Sequence, residues 1–140
     1  MTANAWEDLK SRGFVYQSTD EKALENALAE GPVTYYVGFD PTGDSLHVGH
    51  LLPVMCMRWL QKAGHHPIAL VGGATGLVGD PSGKQEARPI LTRETVARNC
   101  EAIGRQLRQF LPYDNVILAN NIDWLGDMKY LDFLRDIGSK

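Results

Sequence analysis

Short runs rich in β-branched and aromatic residues alternate with long helical patterns, and this alternation leaves few possible folds. The runs cover residues 33–39, 67–71 and 116–119. The segments between them carry helical patterns with short connections, so the strands are expected to lie parallel, joined by right-handed crossovers. The sequence therefore predicts an α/β fold whose ligand site lies at the carboxyl ends of the strands.

Two helices are predicted between these strands. The segment 47–63 is apolar nearly all round, which predicts a buried helix ending at Gly64. Thr92 is a typical N-cap for the second helix, whose apolar positions follow the helical period. These positions are Val96, Cys100, Ile103, Leu107 and Phe110.

Shorter segments complete the prediction. Residues 1–32 are expected to be helical, with Asp20 as a cap, and residues 130–137 to form a last helix. The segment 72–83 is rich in glycine and is predicted to be a long loop.

The composition is that of a folded, water-soluble domain. Of 140 residues, 44% are apolar and 22% are charged, which suffices for a core and argues against disorder. The apolar stretches are too short and interrupted for a membrane helix, and Glu7 and Asp8 do not suit a signal peptide. A cytoplasmic protein is therefore expected. Cys56 and Cys100 lie in apolar surroundings, which favours buried thiols over a disulfide or a metal site.

The charge is unevenly distributed. Residues 58–108 carry eight basic and four acidic side chains, whereas the segments on either side are acidic. A basic middle in a chain of net charge -3 indicates a local anion site, such as one for a nucleotide polyphosphate, more than a long nucleic-acid track.

Residues 35–50 place two histidines where a strand passes into a helix. The amino terminus of a helix presents unpaired N–H groups and partial positive charge, so an anion is expected there. Gly49 has no Cβ and lets a flat group approach the backbone. His47 and His50 can then donate hydrogen bonds to phosphoryl oxygens. The alternatives are a pair of capping or surface histidines, or a metal-binding pair on one helical face.

Residues 71–84 form the second notable stretch. It fits neither a Walker A loop nor a GxGxxG fingerprint. It offers backbone amides after a strand and one carboxylate, Asp80, that can pair with an amine, followed by the cations Lys84 and Arg88. A flexible surface loop with solvated charges is the alternative.

Together, GFDPT at 38–42, HVGH at 47–50 and GGATGLVGDPSGK at 72–84 resemble the amino-terminal half of bacterial-type tyrosyl-tRNA synthetases. HVGH stands for the HIGH signature of class I aminoacyl-tRNA synthetases. The resemblance implies a Rossmann-like parallel sheet flanked by helices. Residues 1–32 would be a helical amino-terminal segment, and 33–140 the first half of the catalytic domain.

Enzymes of this family activate tyrosine with ATP and pass the tyrosyl group to tRNA(Tyr). The resemblance implies that Mg²⁺ accompanies ATP without a dedicated protein site, that the full-length protein is a homodimer, and that no membrane is involved. The catalytic residues implied are Thr42, His47, His50, Lys84 and Arg88. The ATP-binding residues implied are Gly38, Asp40, Thr42, His47, Gly49 and His50. The tyrosine-binding residues implied are Tyr36, Thr75, Asp80 and Asn121.

Two positions depart from common family patterns. Val37 stands where many members carry a cysteine that meets the ribose, and Pro53 removes one N–H from the helix after the signature. The chain also stops before the KMSKS loop and part of the tyrosine pocket, so we expect the 140 residues alone to have little activity. A small HxGH-type adenylyltransferase and a non-catalytic fragment that binds ATP or tyrosine are the alternatives.

Overall fold

The computed structural model describes residues 4–78, 91–112 and 114–138, and its helices and strands follow the predicted order. The strands are β1 (Thr34–Phe39), β2 (His66–Val71) and β3 (Ile117–Asn120). The helices are α1 (Ala5–Ser11), α2 (Glu21–Glu30), α3 (Val48–Lys62), α4 (Gly73–Val78), α5 (Arg93–Phe110), α6 (Ile122–Leu125) and α7 (Tyr130–Asp136).

The described strands form one parallel sheet in the order β1-β2-β3. In the register, Thr34 lies opposite His66 and Phe39 opposite Val71, which in turn pairs with Asn120. The three carboxyl ends therefore lie at one edge of the sheet. This arrangement confirms the predicted α/β class.

One face of the sheet carries the core. Helices α3 and α5 both cross over this face and contact each other. The buried residues of this core are Phe39, Val54, Met57, Ala69, Val71, Val96, Cys100, Ile103, Leu107 and Leu111. The Tyr35 hydroxyl donates a 2.6 Å hydrogen bond to the Met57 carbonyl, which joins β1 to α3.

The opposite face of the sheet is more open to solvent. Side chains alternate along a strand, so Tyr36 points away from the core and is 69% exposed. Ile117 on β3 is 55% exposed on the same side. Val37 packs against the core, so the structure gives no support to a ribose contact from this position.

Helix α3 is half covered, although the sequence predicted a helix buried all round. Val54 and Met57 are buried, whereas Leu51 and Leu52 are 47% and 61% exposed. One stripe of the helix faces the sheet and α1 packs against another part of its surface, whereas Leu51 and Leu52, near its amino-terminal end, stay open to solvent. Pro53 lies inside α3 and has no N–H to donate to the Gly49 carbonyl four residues earlier.

The amino-terminal segment contains two helices, as expected. Trp6 and Leu9 of α1 are buried, and the Asp20 carboxylate accepts a hydrogen bond from the Ala23 N–H at the start of α2. In the part of the chain described, both cysteines are free thiols, with Cys100 buried and Cys56 half-buried.

Other boundaries shift slightly, and two helical segments correct the prediction. Residues 73–78, expected within a loop, form α4, and the short helix α6 was not predicted. Phe110, expected on the buried stripe of α5, is 38% exposed, because the core position after Leu107 is taken by Leu111, four residues later. The remainder of the predicted loop, residues 79–83, lies outside the described residues.

Candidate functional site

An open cavity of about 310 Å³ lies at the carboxyl edge of the sheet. Its lining residues come from the ends of β1 and β2, from α3 and α4, and from the residue after β3. They are Gly38, Phe39, Asp40, His50, Leu70, Gly72, Thr75 and Asn121. This is the position where parallel α/β sheets bind their ligands.

The two histidines cap the start of α3 reciprocally. His47 is the N-cap, and its Nδ1 accepts a hydrogen bond of 3.1 Å from the Gly49 N–H. In return, Nδ1 of His50 accepts one of 3.1 Å from the His47 N–H. An Nδ1 that accepts carries no proton, so in each neutral ring the proton is on Nε2. The cap therefore leaves both Nε2–H groups free to donate to a ligand.

The surroundings of His50 favour its neutral ring. The ring centroids of His47 and His50 are 3.9 Å apart. Burial, followed by the neighbouring His47, lowers the pKa of His50 below its ordinary value of 6.5, while Asp40 acts in the opposite direction. Near neutral pH, His50 is therefore an uncharged donor at the positive end of α3.

Gly49 is required by this cap. A Cβ at this position would lie 2.9 Å from Cε1 of the His47 ring. A side chain here would push the ring away from the Gly49 N–H that it caps. The glycine predicted to admit a flat ligand thus also admits the capping histidine.

Two asparagines at the end of β3, its last residue Asn120 and the following Asn121, hold the start of α4. Oδ1 of Asn120 accepts from the Gly73 N–H at 3.1 Å, and Oδ1 of Asn121 accepts from the Ala74 N–H at 2.7 Å. Nδ2 of Asn121 also donates to the Thr75 hydroxyl at 3.3 Å. These bonds fix Thr75 and Asn121 against each other at the floor of the cavity.

Comparison with known proteins identifies the family. The family model for tRNA synthetases class I (W and Y) matches residues 28–140. The chain belongs to this family.

The chain is similar to tyrosine–tRNA ligases of bacteria. It is 53% identical over 137 residues to tyrosine–tRNA ligase 1 of Streptococcus thermophilus strain CNRZ 1066, covering 95% of this chain and 33% of that protein. It is also 53% identical over 141 residues to the tyrosine–tRNA ligase of Pectobacterium atrosepticum, covering 98% of this chain and 33% of that protein. The chain thus spans about a third of the length of these curated relatives.

A solved structure shows the same fold. A C-terminally truncated mitochondrial tyrosyl-tRNA synthetase of Aspergillus nidulans superposes with a TM-score of 0.85 at 31% identity. The match covers 97% of this chain and 42% of that one. The Rossmann-like catalytic fold predicted from the resemblance is thereby confirmed.

The structure brings together several of the residues predicted for a synthetase site. The cavity is lined by five of them: Gly38, Asp40, His50, Thr75 and Asn121. His47 lies beside it and, with His50, lines a neighbouring groove of about 340 Å³ between α3 and α5. Thr42 and Gly49 are exposed near the same helix end. Tyr36 lies two residues before Gly38 on β1, and both residues are on the same face of the sheet.

Three predicted residues are not placed. Asp80, Lys84 and Arg88 lie outside the described residues. Among the residues that are described, no group of three or more histidine, cysteine, aspartate or glutamate side chains could hold a metal ion. Within the same part of the chain, no helix combines the length and hydropathy needed to cross a membrane.

Sequence reasoning missed three residues that shape the site. Asn120 caps α4, as described above. Asn99 donates to the Pro41 carbonyl, and Gln106 accepts from the Leu46 N–H. Their roles depend on partners far away in the sequence, so no local pattern marks Asn99 or Gln106. The Asn-Asn pair directly after a predicted strand was a usable signal for Asn120.

Proposed function

We propose that this chain forms the ATP- and tyrosine-binding part of a tyrosine–tRNA ligase. The observation that carries the proposal is the reciprocal His47–His50 cap at the amino terminus of α3, beside the cavity, in which both rings use Nδ1 and keep Nε2–H out of the cap. Such a site suits the charge that develops on a transferring phosphate. The similarity to named tyrosine–tRNA ligases supports the same substrates.

In the proposed reaction, the tyrosine carboxylate oxygen attacks the α-phosphorus of ATP. The bond to the bridging oxygen breaks, pyrophosphate leaves and tyrosyl-adenylate remains. No covalent enzyme intermediate is needed, so catalysis consists of positioning and of stabilising charge. Thr42 and His47 hold the γ-phosphate, and His50 contacts the nucleotide. Lys84 and Arg88 close over pyrophosphate.

The other ATP contacts involve backbone and one carboxylate. Gly38 and Gly49 allow close approach of the nucleotide, and Asp40 lies at the rim of the cavity. Mg²⁺ arrives with ATP as part of the substrate. In the second step, the tyrosyl group passes to the terminal ribose of tRNA(Tyr).

The tyrosine subsite lies on the open face of the sheet. The Tyr36 hydroxyl hydrogen-bonds the substrate phenol, and Asp80 pairs with its ammonium group. Thr75 and Asn121, joined by a 3.3 Å hydrogen bond, line the subsite less directly. A site that pairs with the phenol rejects phenylalanine, which leaves the same groups unpaired; the tyrosyl enzyme is the standard example of this effect.

The proposal extends to the assembly. The ligase is a cytoplasmic homodimer that acts on tRNA(Tyr). Within it, residues 1–32 form a helical amino-terminal segment and residues 33–140 the first half of the catalytic domain.

The direct test is tyrosine-dependent exchange of pyrophosphate into ATP. We expect little or none from the 140-residue chain, because Tyr36 is 69% exposed and the phenol subsite is open to water. A chimaera that joins residues 1–140 to the remaining two thirds of the Streptococcus thermophilus ligase should restore exchange. Exchange without a requirement for tyrosine would instead support a small adenylyltransferase.

The same chimaera tests the role of the histidine cap. Replacing His47 by alanine should lower the activation rate roughly 100-fold with little change in tyrosine affinity, because the lost donor acts on developing charge. Replacing Thr42 by valine should act in the same direction. Equal losses of rate and affinity would mean that these residues bind ground-state substrate instead.

A further inference from the structure

The loop between β1 and α3 is tied to α5 near both of its ends. At its start, Nδ2 of Asn99 donates a 3.0 Å hydrogen bond to the Pro41 carbonyl. At its end, Oε1 of Gln106 accepts a 3.1 Å hydrogen bond from the Leu46 N–H. The Gln106 amide also lies 3.4 Å from the Ser45 hydroxyl.

The spacing of the two amides along α5 matches the loop. Seven residues make nearly two helical turns, so Asn99 and Gln106 lie on one face of α5, about 10 Å apart along its axis. The five residue steps from Pro41 to Leu46 reach about 17 Å when extended. The loop is therefore fixed at both ends and curves outward between them. Thr42, directly after the first fixed residue, is exposed.

Helix α5, to which the loop is tied, is held firmly in the core. Asn99 is 3% exposed, and a buried amide is costly unless it is hydrogen-bonded, so its bond to Pro41 is strongly held. On the same helix, Ile103 and Leu107 are 1% and 0% exposed in the core. The backbone of α5 at both positions is therefore held against the sheet.

We infer that Asn99 and Gln106 are positioning residues for the phosphate-binding groups. Each grips the residue directly before one of them: Pro41 precedes Thr42, and Leu46 precedes His47. Helix α5 thereby sets the separation of the two groups assigned to the γ-phosphate. This inference rests on the proposed function and adds residues that touch no substrate.

Variants of Gln106 test this role. Gln106→Met keeps the length of the side chain but removes the acceptor for the Leu46 N–H, whereas Gln106→Glu retains an acceptor. Gln109→Met makes the same change on an exposed position of α5 and is the control. Amide hydrogen exchange and thermal unfolding are measured on the 140-residue chain, and activation kinetics on the chimaera.

The expected results form a pattern that a general loss of stability would not produce. In Gln106→Met, the Leu46 amide loses protection, the activation rate falls roughly 10- to 100-fold, and the KM for tyrosine stays within about twofold. Gln106→Glu retains most of the protection and rate, and Gln109→Met matches the parent. Asn99→Leu should lower the rate similarly, with its thermal unfolding measured in parallel.

Either of two results overturns the inference. One is unchanged protection of Leu46 in Gln106→Met, and the other is lost protection with an unchanged activation rate. If the parent chimaera shows no tyrosine-dependent exchange, the proposed function fails. Protection of Leu46 then still decides whether Gln106 holds the loop.

Discussion

The helix cap and the proposed ATP site both require a residue without a Cβ at position 49, which is glycine. In most helices a glycine-to-alanine change gains up to about 1 kcal/mol. Here the new Cβ would lie 2.9 Å from the His47 ring and push it away. The N-cap hydrogen bond lost in this way contributes about as much free energy as the alanine gains. We therefore expect Gly49→Ala to yield no net gain in the free energy of unfolding, measured by urea denaturation.

Gly104→Ala is the matched control for this prediction. A Cβ at Gly104, inside α5, would make an ordinary 3.7 Å contact with Leu118. We expect this variant to gain about 0.5–1 kcal/mol. Equal gains in both variants would mean that the His47 ring does not cap α3 in solution.

Residues with local partners could be predicted from the sequence, and residues with distant partners could not. His47 and His50 cap each other across three positions, so their motif reveals them. Asn99 bonds to Pro41 across 58 positions and Gln106 to Leu46 across 60. In the sequence of α5, nothing distinguishes these two amides from the other polar residues of the helix. They contact the loop only because the fold places α5 beneath it.

At the scale of elements, α3 and α5 are joined by a contact at the carboxyl end of α5. Nη1 of Arg58, on α3, donates a 2.7 Å hydrogen bond to the Phe110 carbonyl in the last turn of α5. A cation there satisfies an unpaired carbonyl and offsets the negative end of the helix dipole. We expect Arg58→Met to lower the free energy of unfolding by about 1 kcal/mol, measured by urea denaturation.

Arg105→Met provides the comparison on the surface of α5. Arg105 pairs with Glu101 at 3.0 Å, and both side chains are mostly exposed. Solvent-exposed pairs of this kind contribute about 0.5 kcal/mol or less. If Arg105→Met lowered the free energy of unfolding more than Arg58→Met does, the Arg58 contact between α3 and α5 would not be the stronger of the two.

Helix α4 shows why an element prediction failed. Its sequence begins Gly73-Ala74-Thr75-Gly76, and glycine is unfavourable inside helices, so local propensity favours a loop. In the fold, Asn120 and Asn121 satisfy the first N–H groups of this helix from 47 positions away. Tertiary capping therefore outweighs propensity over residues 73–78.

At the scale of the whole molecule, the two faces of the sheet differ in how fully they are covered. The predicted alternation of strands and helices was sufficient to place α3, α5 and the site at the carboxyl edge. It could not show that both crossovers cover one face and leave Tyr36 and Ile117 exposed on the other. Strand order decides this, and neither periodicity nor composition specifies strand order. The tyrosine subsite proposed on that face is therefore open to water in the described part of the chain.

The amino-terminal edge of the sheet makes the stability of the whole molecule depend on pH. His65 is 3% exposed, and its Nδ1 accepts a 3.1 Å hydrogen bond from the Val33 N–H. Burial, followed by the nearby His66, lowers the pKa of His65 below its ordinary 6.5. The unfolded chain therefore binds a proton more readily than the folded one, and protonation would replace an acceptor by a donor facing Val33.

Stability from His65 is accordingly complete above pH 6.5 and is lost as the pH falls through the lowered folded-state pKa. His50, whose pKa is also lowered, acts in the same direction. We expect the free energy of unfolding to decrease from pH 7 to pH 5, and His65→Asn, whose amide oxygen can still accept, to flatten this dependence. His50→Asn should flatten the dependence further. An asparagine side chain does not titrate between pH 5 and pH 7. If the pH dependence were unchanged in His65→Asn, His65 would therefore not contribute to it.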